Sequence, residues 1–177
     1  MIKILSKFIL NKVFGWRVKG VLPINDKYII AVVPHSSYFD LIIAVLIRTY
    51  SGLKIKFIGK KELFNPITSF FFKFLGGIPV DRSKNANLVD AVVDLFKTNK
   101  IEILAIAPEG TRKKVNKWKT GFYYIALKTK LPILMVSFDY KRKEVKINNR
   151  YYPTGNIDND FNELEKMVSD VIDRNKI

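Results

Sequence analysis

Hydrophobic residues follow two spacings along the 177-residue chain, one typical of strands and one typical of helices. Short apolar runs predict buried strands, at residues 28–33, 54–58, 101–107 and 133–138, and an alternating run predicts another, at residues 144–148. Apolar residues at intervals of three and four predict the intervening helices, at residues 38–50, 86–98, 119–130 and 160–174. Strands that alternate with helices indicate an α/β fold, with a mostly parallel central sheet flanked by helices.

An amphipathic helix is predicted at residues 1–17, ahead of a single α/β domain at residues 18–177. One side of this helix collects apolar side chains, namely Ile2, Leu5, Phe8, Ile9, Val13 and Trp16. Lysines and an arginine lie largely on the other side. A basic amphipathic helix with an aromatic residue suits the interface of a bilayer, and packing on the helix's own domain is an equally compatible interpretation.

A second unusual segment follows Pro66, where four phenylalanines fall within five positions, at Phe70, Phe71, Phe72 and Phe74. On a helix these rings point in all directions, so no side is left for water. The segment is therefore either buried in the core or in contact with lipid or an acyl chain. Lys60, Lys61 and Lys73 favour contact with an anionic surface.

The chain is strongly basic, because 31 Lys and Arg residues against 16 Asp and Glu residues give a net charge of +15, and this charge favours anionic partners. Such a protein attracts nucleic acid, an anionic bilayer or phosphorylated substrates. The aromatic residues cluster with apolar neighbours rather than among the lysines, so a nucleic-acid-binding module is the weaker alternative. Nucleic acid is therefore not expected as a partner, which leaves an anionic membrane surface and phosphorylated substrates as the expected ones.

The location in the cell is expected to be cytoplasmic, on the cytoplasmic face of a membrane as a peripheral protein. The chain contains no cysteine, which excludes disulfides and thiol nucleophiles and fits a reducing compartment. No run reaches the roughly 18 uncharged apolar residues of a membrane-spanning helix. The apolar N-terminus is interrupted by lysines and lacks the features of a signal peptide.

His35, the only histidine, lies between the predicted strand at residues 28–33 and the predicted helix at residues 38–50, and Asp40 follows it after four residues. An imidazole exchanges protons near neutral pH, so a general base oriented by a carboxylate is one interpretation. A histidine in a surface loop is equally compatible with these two residues alone. With no second histidine or cysteine to share a metal ion, no metal site is predicted.

Two further polar clusters follow apolar segments. The first ends a glycine-containing run at Arg82, and the second, Glu109-Gly110-Thr111-Arg112, follows the predicted strand at residues 101–107. Taken alone, each cluster is better explained as an ordinary turn, with a surface ion pair in the first and a stop to the strand in the second. In parallel sheets, however, ligands bind beyond the carboxyl ends of the strands, where these clusters are expected to lie.

In this order, the clusters resemble the sequence blocks of the glycerophospholipid acyltransferases, a family typified by 1-acylglycerol-3-phosphate acyltransferase. The histidine and aspartate of its first block match His35 and Asp40, and its second block resembles the run that ends at Arg82. Its third block, Glu-Gly-Thr-Arg, matches residues 109–112, and its fourth resembles the proline-led strand at residues 131–136. One departure is Pro34, which stands where the family usually has asparagine.

The resemblance implies an O-acyltransferase of phospholipid biosynthesis. Such an enzyme moves a fatty acyl group from acyl-CoA or acyl carrier protein, as co-substrate and without another cofactor, to the hydroxyl of a lysophospholipid. It implies His35 as the base, Asp40 as its orienting partner, and an acceptor site formed by Arg82, Glu109, Gly110, Thr111 and Arg112. A related acyltransferase acting on an ornithine lipid or a saccharolipid, and a hydrolase using the same residues, remain open alternatives.

Overall fold

The computed structural model describes residues 1–80, 88–112, 115 and 117–175. Seven strands form one sheet: β1 (Arg17–Lys19), β2 (Tyr28–Val32), β3 (Ile55–Lys60), β4 (Gly77–Val80), β5 (Ile103–Ile106), β6 (Ile133–Asp139) and β7 (Glu144–Tyr151). The α-helices are α1 (Ile2–Phe8), α2 (Phe39–Ser51), α3 (Ser69–Phe74), α4 (Leu88–Lys97), α5 (Gly121–Thr129) and α6 (Ile157–Asn175). A short π-helix, Ile9–Val13, continues α1, and a 3-10 helix, Lys61–Phe64, precedes α3.

The strand order in the sheet is β1-β7-β6-β2-β5-β3-β4. Neighbouring strands are parallel except β6 and β7, which form an antiparallel pair. The predicted α/β fold with a mostly parallel sheet is therefore confirmed. Two strands have no clear signal in the sequence: β1 has only three residues, and β4, within the glycine-containing run before Arg82, has four and includes a proline.

Each side of the sheet carries its own apolar core. Leu10, Ile30 and Ile43 belong to the core on one side, called the α2 face, which α1 and α2 cover. The other side, called the α5 face, packs against α4, α5 and α6 through residues such as Phe122 and Leu164. Because the sheet is covered on both sides, its central strands β2 and β6 are almost continuously apolar and buried.

The N-terminal helix departs from its prediction in extent and in orientation. Helical structure covers residues 2–13, and the chain enters β1 at Arg17. The side facing the protein is narrow: Leu10 is fully buried and Ser6 nearly so. Of the apolar side found in the sequence, Ile2, Leu5, Phe8 and Val13 are exposed, as are Met1 and Ile4, whereas Trp16, beyond the end of the helix, is buried. Packing on the domain thus uses a side of the helix that the sequence pattern did not identify.

The phenylalanine-rich segment lies on the α2 face as well. Ile55, Phe57 and Gly59 alternate along β3 on the same side, and Ile55 belongs to the core of the α2 face. A Cβ atom at Gly77, beside Phe57 in the sheet, would lie 2.8 Å from the Phe72 carbonyl oxygen and 2.9 Å from the Phe64 ring. Glycine therefore allows α3 to approach β4 closely.

The rings of this segment divide between two environments. Phe64 and Phe72 pack together near the sheet, with ring centroids 5.8 Å apart. Four apolar side chains point away from the protein and are exposed: Ile67, Phe70, Phe71 and Phe74. No described helix is both long enough and apolar enough to cross a membrane.

Candidate active site

Three adjacent parallel strands end at one edge of the sheet, because β2 lies between β6 and β5. After β2 the chain enters α2 on one face, and after β5 it leads to α5 on the other face. Connections that leave neighbouring strands toward opposite faces open a crevice at the carboxyl edge, which is where α/β folds bind ligands. The predicted site residues after β2 and β5 are therefore brought to the same crevice.

His35 and Asp40 form a direct pair at this edge. His35 Nδ1 lies 2.9 Å from Asp40 Oδ2. The histidine side chain is 23% exposed, whereas that of Asp40 is 3% exposed. In the neutral imidazole this contact places the ring proton on Nδ1, which donates to the carboxylate and leaves the lone pair on Nε2. The pair therefore has the geometry of an oriented base with access to solvent.

Asp40 lies in the first turn of α2, where the partial positive charge of the helix N-terminus favours a carboxylate. Its Oδ2 also accepts the Ser37 backbone N–H at 3.1 Å, and Ser37 Oγ accepts the Phe39 N–H at 3.0 Å. The short loop between β2 and α2 thus folds around the carboxylate. Because the loop folds in this way, the imidazole of His35 contacts Asp40 across the four residues between them.

Tyr140, which follows β6 directly, completes the surroundings of Asp40 by donating its hydroxyl hydrogen to Asp40 Oδ1. Burial and this hydrogen bond raise the pKa of Tyr140 well above its ordinary value, so the phenol remains a donor at neutral pH. The sequence analysis missed this residue. Its position directly after β6 could have indicated it, because β6 ends at the same edge of the sheet as β2. Placing Tyr140 at the site in this way requires the strand order, which the sequence does not contain.

Glu109 reaches the loop from the end of β5. Its Oε2 accepts the backbone N–H of His35 at 2.6 Å, across 74 residues of sequence. Burial raises the pKa of Glu109, while the His35 N–H and the imidazole oppose that shift in part. Glu109 therefore holds the backbone that carries the base. Gly110, with φ +64°, turns the chain immediately afterwards, in a conformation that glycine adopts easily.

Arg112 is the one predicted arginine that the described residues place at the site. Its guanidinium carbon lies 3.9 Å from the centroid of the exposed Tyr38 ring, in the loop between His35 and Asp40. Such a stacked arginine keeps its donors available to an anion. Thr111 lies between Gly110 and Arg112 on the same turn. Arg82, the other predicted arginine, lies outside the described residues.

A cleft of about 320 Å³ adjoins this site. Its lining is mostly apolar and consists of Val13, Phe14, Trp16, Phe39, Tyr140 and Lys143. Phe39 precedes Asp40 in the chain and Tyr140 donates to it, so the cleft and the His35–Asp40 pair share a wall.

Within the described residues, no group of three or more His, Asp or Glu side chains is arranged to hold a metal ion.

The doubly covered sheet and the crevice at its carboxyl edge define an α/β fold of the class whose ligand sites lie at that edge. More narrowly, the chain belongs to the Acyltransferase family, whose model matches residues 16–139, and the protein is accordingly an acyltransferase. The match confirms the family resemblance seen in the sequence blocks. The matched region includes His35, Asp40, Glu109 and Arg112 and ends one residue before Tyr140.

A solved structure supports the fold independently. The 1-acyl-sn-glycerophosphate (LPA) acyltransferase PlsC from Thermotoga maritima superimposes with a TM-score of 0.66. The alignment covers 97% of this chain and 78% of that one, at 21% sequence identity. A comparison with curated proteins found no match.

Proposed function

We propose that the protein transfers a fatty acyl group from an acyl thioester to the free hydroxyl of a lysophospholipid, with 1-acylglycerol-3-phosphate as the acceptor. The observation that carries this proposal is the His35–Asp40 pair, 2.9 Å apart, beside Arg112 at the carboxyl edge of an acyltransferase sheet. A base and a phosphate-binding cation side by side fit an acceptor that carries both a hydroxyl and a phosphate.

In the proposed reaction, His35 Nε2 accepts the proton of the acceptor hydroxyl as its oxygen attacks the thioester carbonyl. Asp40 stabilises the imidazolium that forms, and the tetrahedral intermediate then loses its C–S bond. The departing thiolate takes the proton from the imidazolium, which restores the base. Since both substrates meet in one complex, alignment of the hydroxyl with the carbonyl supplies much of the rate without a covalent enzyme intermediate.

The acceptor phosphate is assigned to the arginines. A guanidinium presents two parallel N–H donors that match two phosphate oxygens, and Arg112 is exposed at the site with its cationic plane against Tyr38. We assign Arg82 to the same phosphate on the basis of the family resemblance. Glu109, Gly110 and Thr111 then shape the acceptor site by fixing the turn that presents Arg112 and the loop that carries His35.

The acceptor lies in a membrane, so we propose that the enzyme binds a bilayer surface peripherally, on its cytoplasmic side. Support comes from the exposed apolar side chains of α1 and α3, such as Phe8 and Phe70, both on the α2 face. Exposed lysines accompany them: Lys3, Lys7, Lys12, Lys60, Lys61 and Lys73. Each contributes about 1 kcal/mol near an anionic leaflet. The acyl donor is acyl-CoA or acyl carrier protein, with no further cofactor in the proposed reaction.

The experiment offers radiolabelled acyl-CoA and acyl-ACP to purified protein with a panel of acceptors in anionic vesicles. The panel holds 1-acylglycerol-3-phosphate, other lysophospholipids, an ornithine lipid and a saccharolipid, with a water-only lane for hydrolysis. The His35→Ala variant is assayed beside the wild type. We expect diacyl product from 1-acylglycerol-3-phosphate and a loss of at least about 10³-fold in His35→Ala, because the base is removed.

Two results contradict the proposal in different ways. Product from 1-acylglycerol-3-phosphate that survives in His35→Ala excludes the mechanism. Product from another lipid alcohol alone, or release of free fatty acid in the water-only lane, assigns a different acceptor to the same base. An unchanged melting temperature in His35→Ala shows that the loss arises from chemistry rather than unfolding.

A further inference from the structure

We infer that Tyr140 is a positioning residue of the reaction, whose hydroxyl locks the Asp40 carboxylate in the one orientation that holds His35 as the Nδ1–H tautomer. The expected effect on kcat rests on the proposed function, whereas the orientation of Asp40 and the tautomer of His35 do not depend on it. It extends the active site to a third strand, β6, and to a residue beyond the sequence blocks of the family resemblance.

The two oxygens of Asp40 have different partners. Oδ2 accepts from His35 Nδ1 at 2.9 Å and from the Ser37 N–H at 3.1 Å, whereas Oδ1 accepts from the Tyr140 hydroxyl. Without Tyr140, Oδ1 loses that donor within a nearly buried side chain. A carboxylate in that state turns about its Cβ–Cγ bond toward other donors or water, and the contact with His35 loosens.

Tyr140 is itself held firmly enough to perform this task. Its ring packs edge-on against buried Trp16, with centroids 5.1 Å apart and planes at 87°. Its backbone N–H donates to Asn175 Oδ1 at 3.3 Å, and the Asn175 side chain donates to the Phe138 carbonyl at 2.8 Å. The C-terminal end of α6 therefore clamps the end of β6, and Tyr140 is fixed from both its backbone and its ring.

The orientation matters because only one neutral tautomer of His35 is useful as a base toward the crevice. With the proton on Nδ1 and donated to Asp40, Nε2 has a lone pair for the acceptor hydroxyl. If the carboxylate turns away, the other tautomer gains population and its Nε2 is already protonated. Tyr140 thus acts on the reaction through Asp40 and touches neither substrate.

The test uses Tyr140→Phe, which keeps the ring that packs on Trp16 and removes the hydroxyl alone. The matched control is Tyr151→Phe, which removes another tyrosine-to-aspartate hydrogen bond, 2.6 Å long to Asp160, away from the site. Because the chain contains a single histidine, ¹⁵N-histidine labelling yields one pair of ring signals, whose shifts report the tautomer at a pH where the ring is neutral. This measurement requires no substrate.

In the tautomer measurement, wild type and Tyr151→Phe are expected to show the Nδ1–H form, and Tyr140→Phe a mixture of both forms. In the assay with 1-acylglycerol-3-phosphate, kcat of Tyr140→Phe is expected to fall about tenfold or more while KM stays within about twofold. In an Asp40→Ala background, adding Tyr140→Phe should have no further effect, since Tyr140 acts through that carboxylate.

The inference is overturned if Tyr140→Phe keeps the wild-type tautomer, if its kcat matches the wild type, or if its effect adds fully to that of Asp40→Ala. Failure of the proposed function looks different. In that case the wild type does not acylate 1-acylglycerol-3-phosphate, or the His35→Ala variant still acylates it. The tautomer measurement then decides by itself whether Tyr140 orients Asp40.

Discussion

Asp40 accepts hydrogen bonds from His35, Ser37 and Tyr140 although its side chain is only 3% exposed. A buried carboxylate is costly when it lacks partners, and here each oxygen has at least one. The three donors come from the loop before α2 and from the end of β6, so the carboxylate also ties these two elements together. Replacing Asp40 therefore affects both the orientation of His35 and the contact between the loop before α2 and the end of β6.

At this position we predict that Asp40→Asn lowers kcat by about 10²- to 10⁴-fold, because an amide in place of the carboxylate no longer enforces the Nδ1–H tautomer or stabilises the imidazolium. Steady-state kinetics with the acceptor that gives product, together with thermal melting, measure the effect. Asp160→Asn serves as the matched control, since it also removes a buried carboxylate but should keep kcat near the wild-type value.

The sequence suffices to identify His35, Asp40, Glu109 and Arg112 as candidates, since each stands in a short block after an apolar strand. Their roles depend on distances that no sequence pattern contains. For Glu109, for example, the structure adds a hydrogen bond to the His35 backbone that the sequence block does not indicate. Tyr140 lies 100 residues from Asp40, and only the placement of β6 beside β2 brings the two together.

Among the elements, the turn after β7 and the start of α6 are joined by one buried carboxylate. Asp160 accepts hydrogen bonds from the hydroxyls of Tyr123 and Tyr151, from the Thr154 N–H and hydroxyl, and from the Gly155 N–H. Burial acting alone raises its pKa, but the hydrogen bonds from Tyr151, Thr154 and Tyr123 outweigh burial and lower the pKa to about 2. This aspartate therefore fastens α5, β7 and α6 to one another.

We predict that Asp160→Asn lowers the free energy of unfolding at neutral pH by roughly 1–3 kcal/mol, because the amide nitrogen meets donors where an acceptor is needed. The folded pKa lies below the value of about 4 for an unfolded aspartate, so the stabilisation is complete above that pH and declines as the pH falls toward 2. Urea unfolding of both proteins between pH 7 and pH 3 measures the difference, and a pH-independent difference contradicts the prediction.

The elements that the sequence predicts well are those with a clear apolar pattern, whether helical spacing or a continuous buried run. Helix α2 was expected at residues 38–50 and spans Phe39–Ser51, and β6 was expected at residues 133–138 and spans Ile133–Asp139. Periodicity was less informative at the N-terminus, where the apolar side faces outward and helical structure ends at residue 13. A pattern shows that a side is apolar, but only the neighbouring α2 decides which side is buried.

At the scale of the whole molecule, the exposed apolar side chains of α1 and α3 belong to the same layer, the α2 face. Leu5 and Phe8 mark one part of this layer, and Phe70 and Phe74 mark the other. Two separate apolar groups on one face, each with exposed lysines, suit a flat anionic surface better than a single groove. The proposed membrane contact therefore has two anchors, not one.

We predict that Phe70→Ser combined with Phe74→Ser weakens sedimentation with anionic vesicles by about tenfold or more, because two large apolar side chains no longer enter the interface. Tyr124→Ser is the matched control: Tyr124 is an exposed aromatic residue of α5 on the opposite face, and its loss should leave vesicle binding unchanged. Equal binding by all three proteins removes α3 as an anchor. Removing residues 1–17 is a poorer test, because Leu10 and Trp16 belong to the core.

The position of Trp16 also allows the cleft beside the candidate active site to be observed by fluorescence. Trp16 is one of two tryptophans and lines the cleft, with its ring in contact with Tyr140. The other, Trp118, packs against Phe161 on the opposite face of the sheet. A protein in which Trp118 is replaced by phenylalanine thus carries a single indole whose emission reports the polarity and occupancy of that cleft. Binding of an unlabelled molecule beside the candidate active site can therefore be followed in solution.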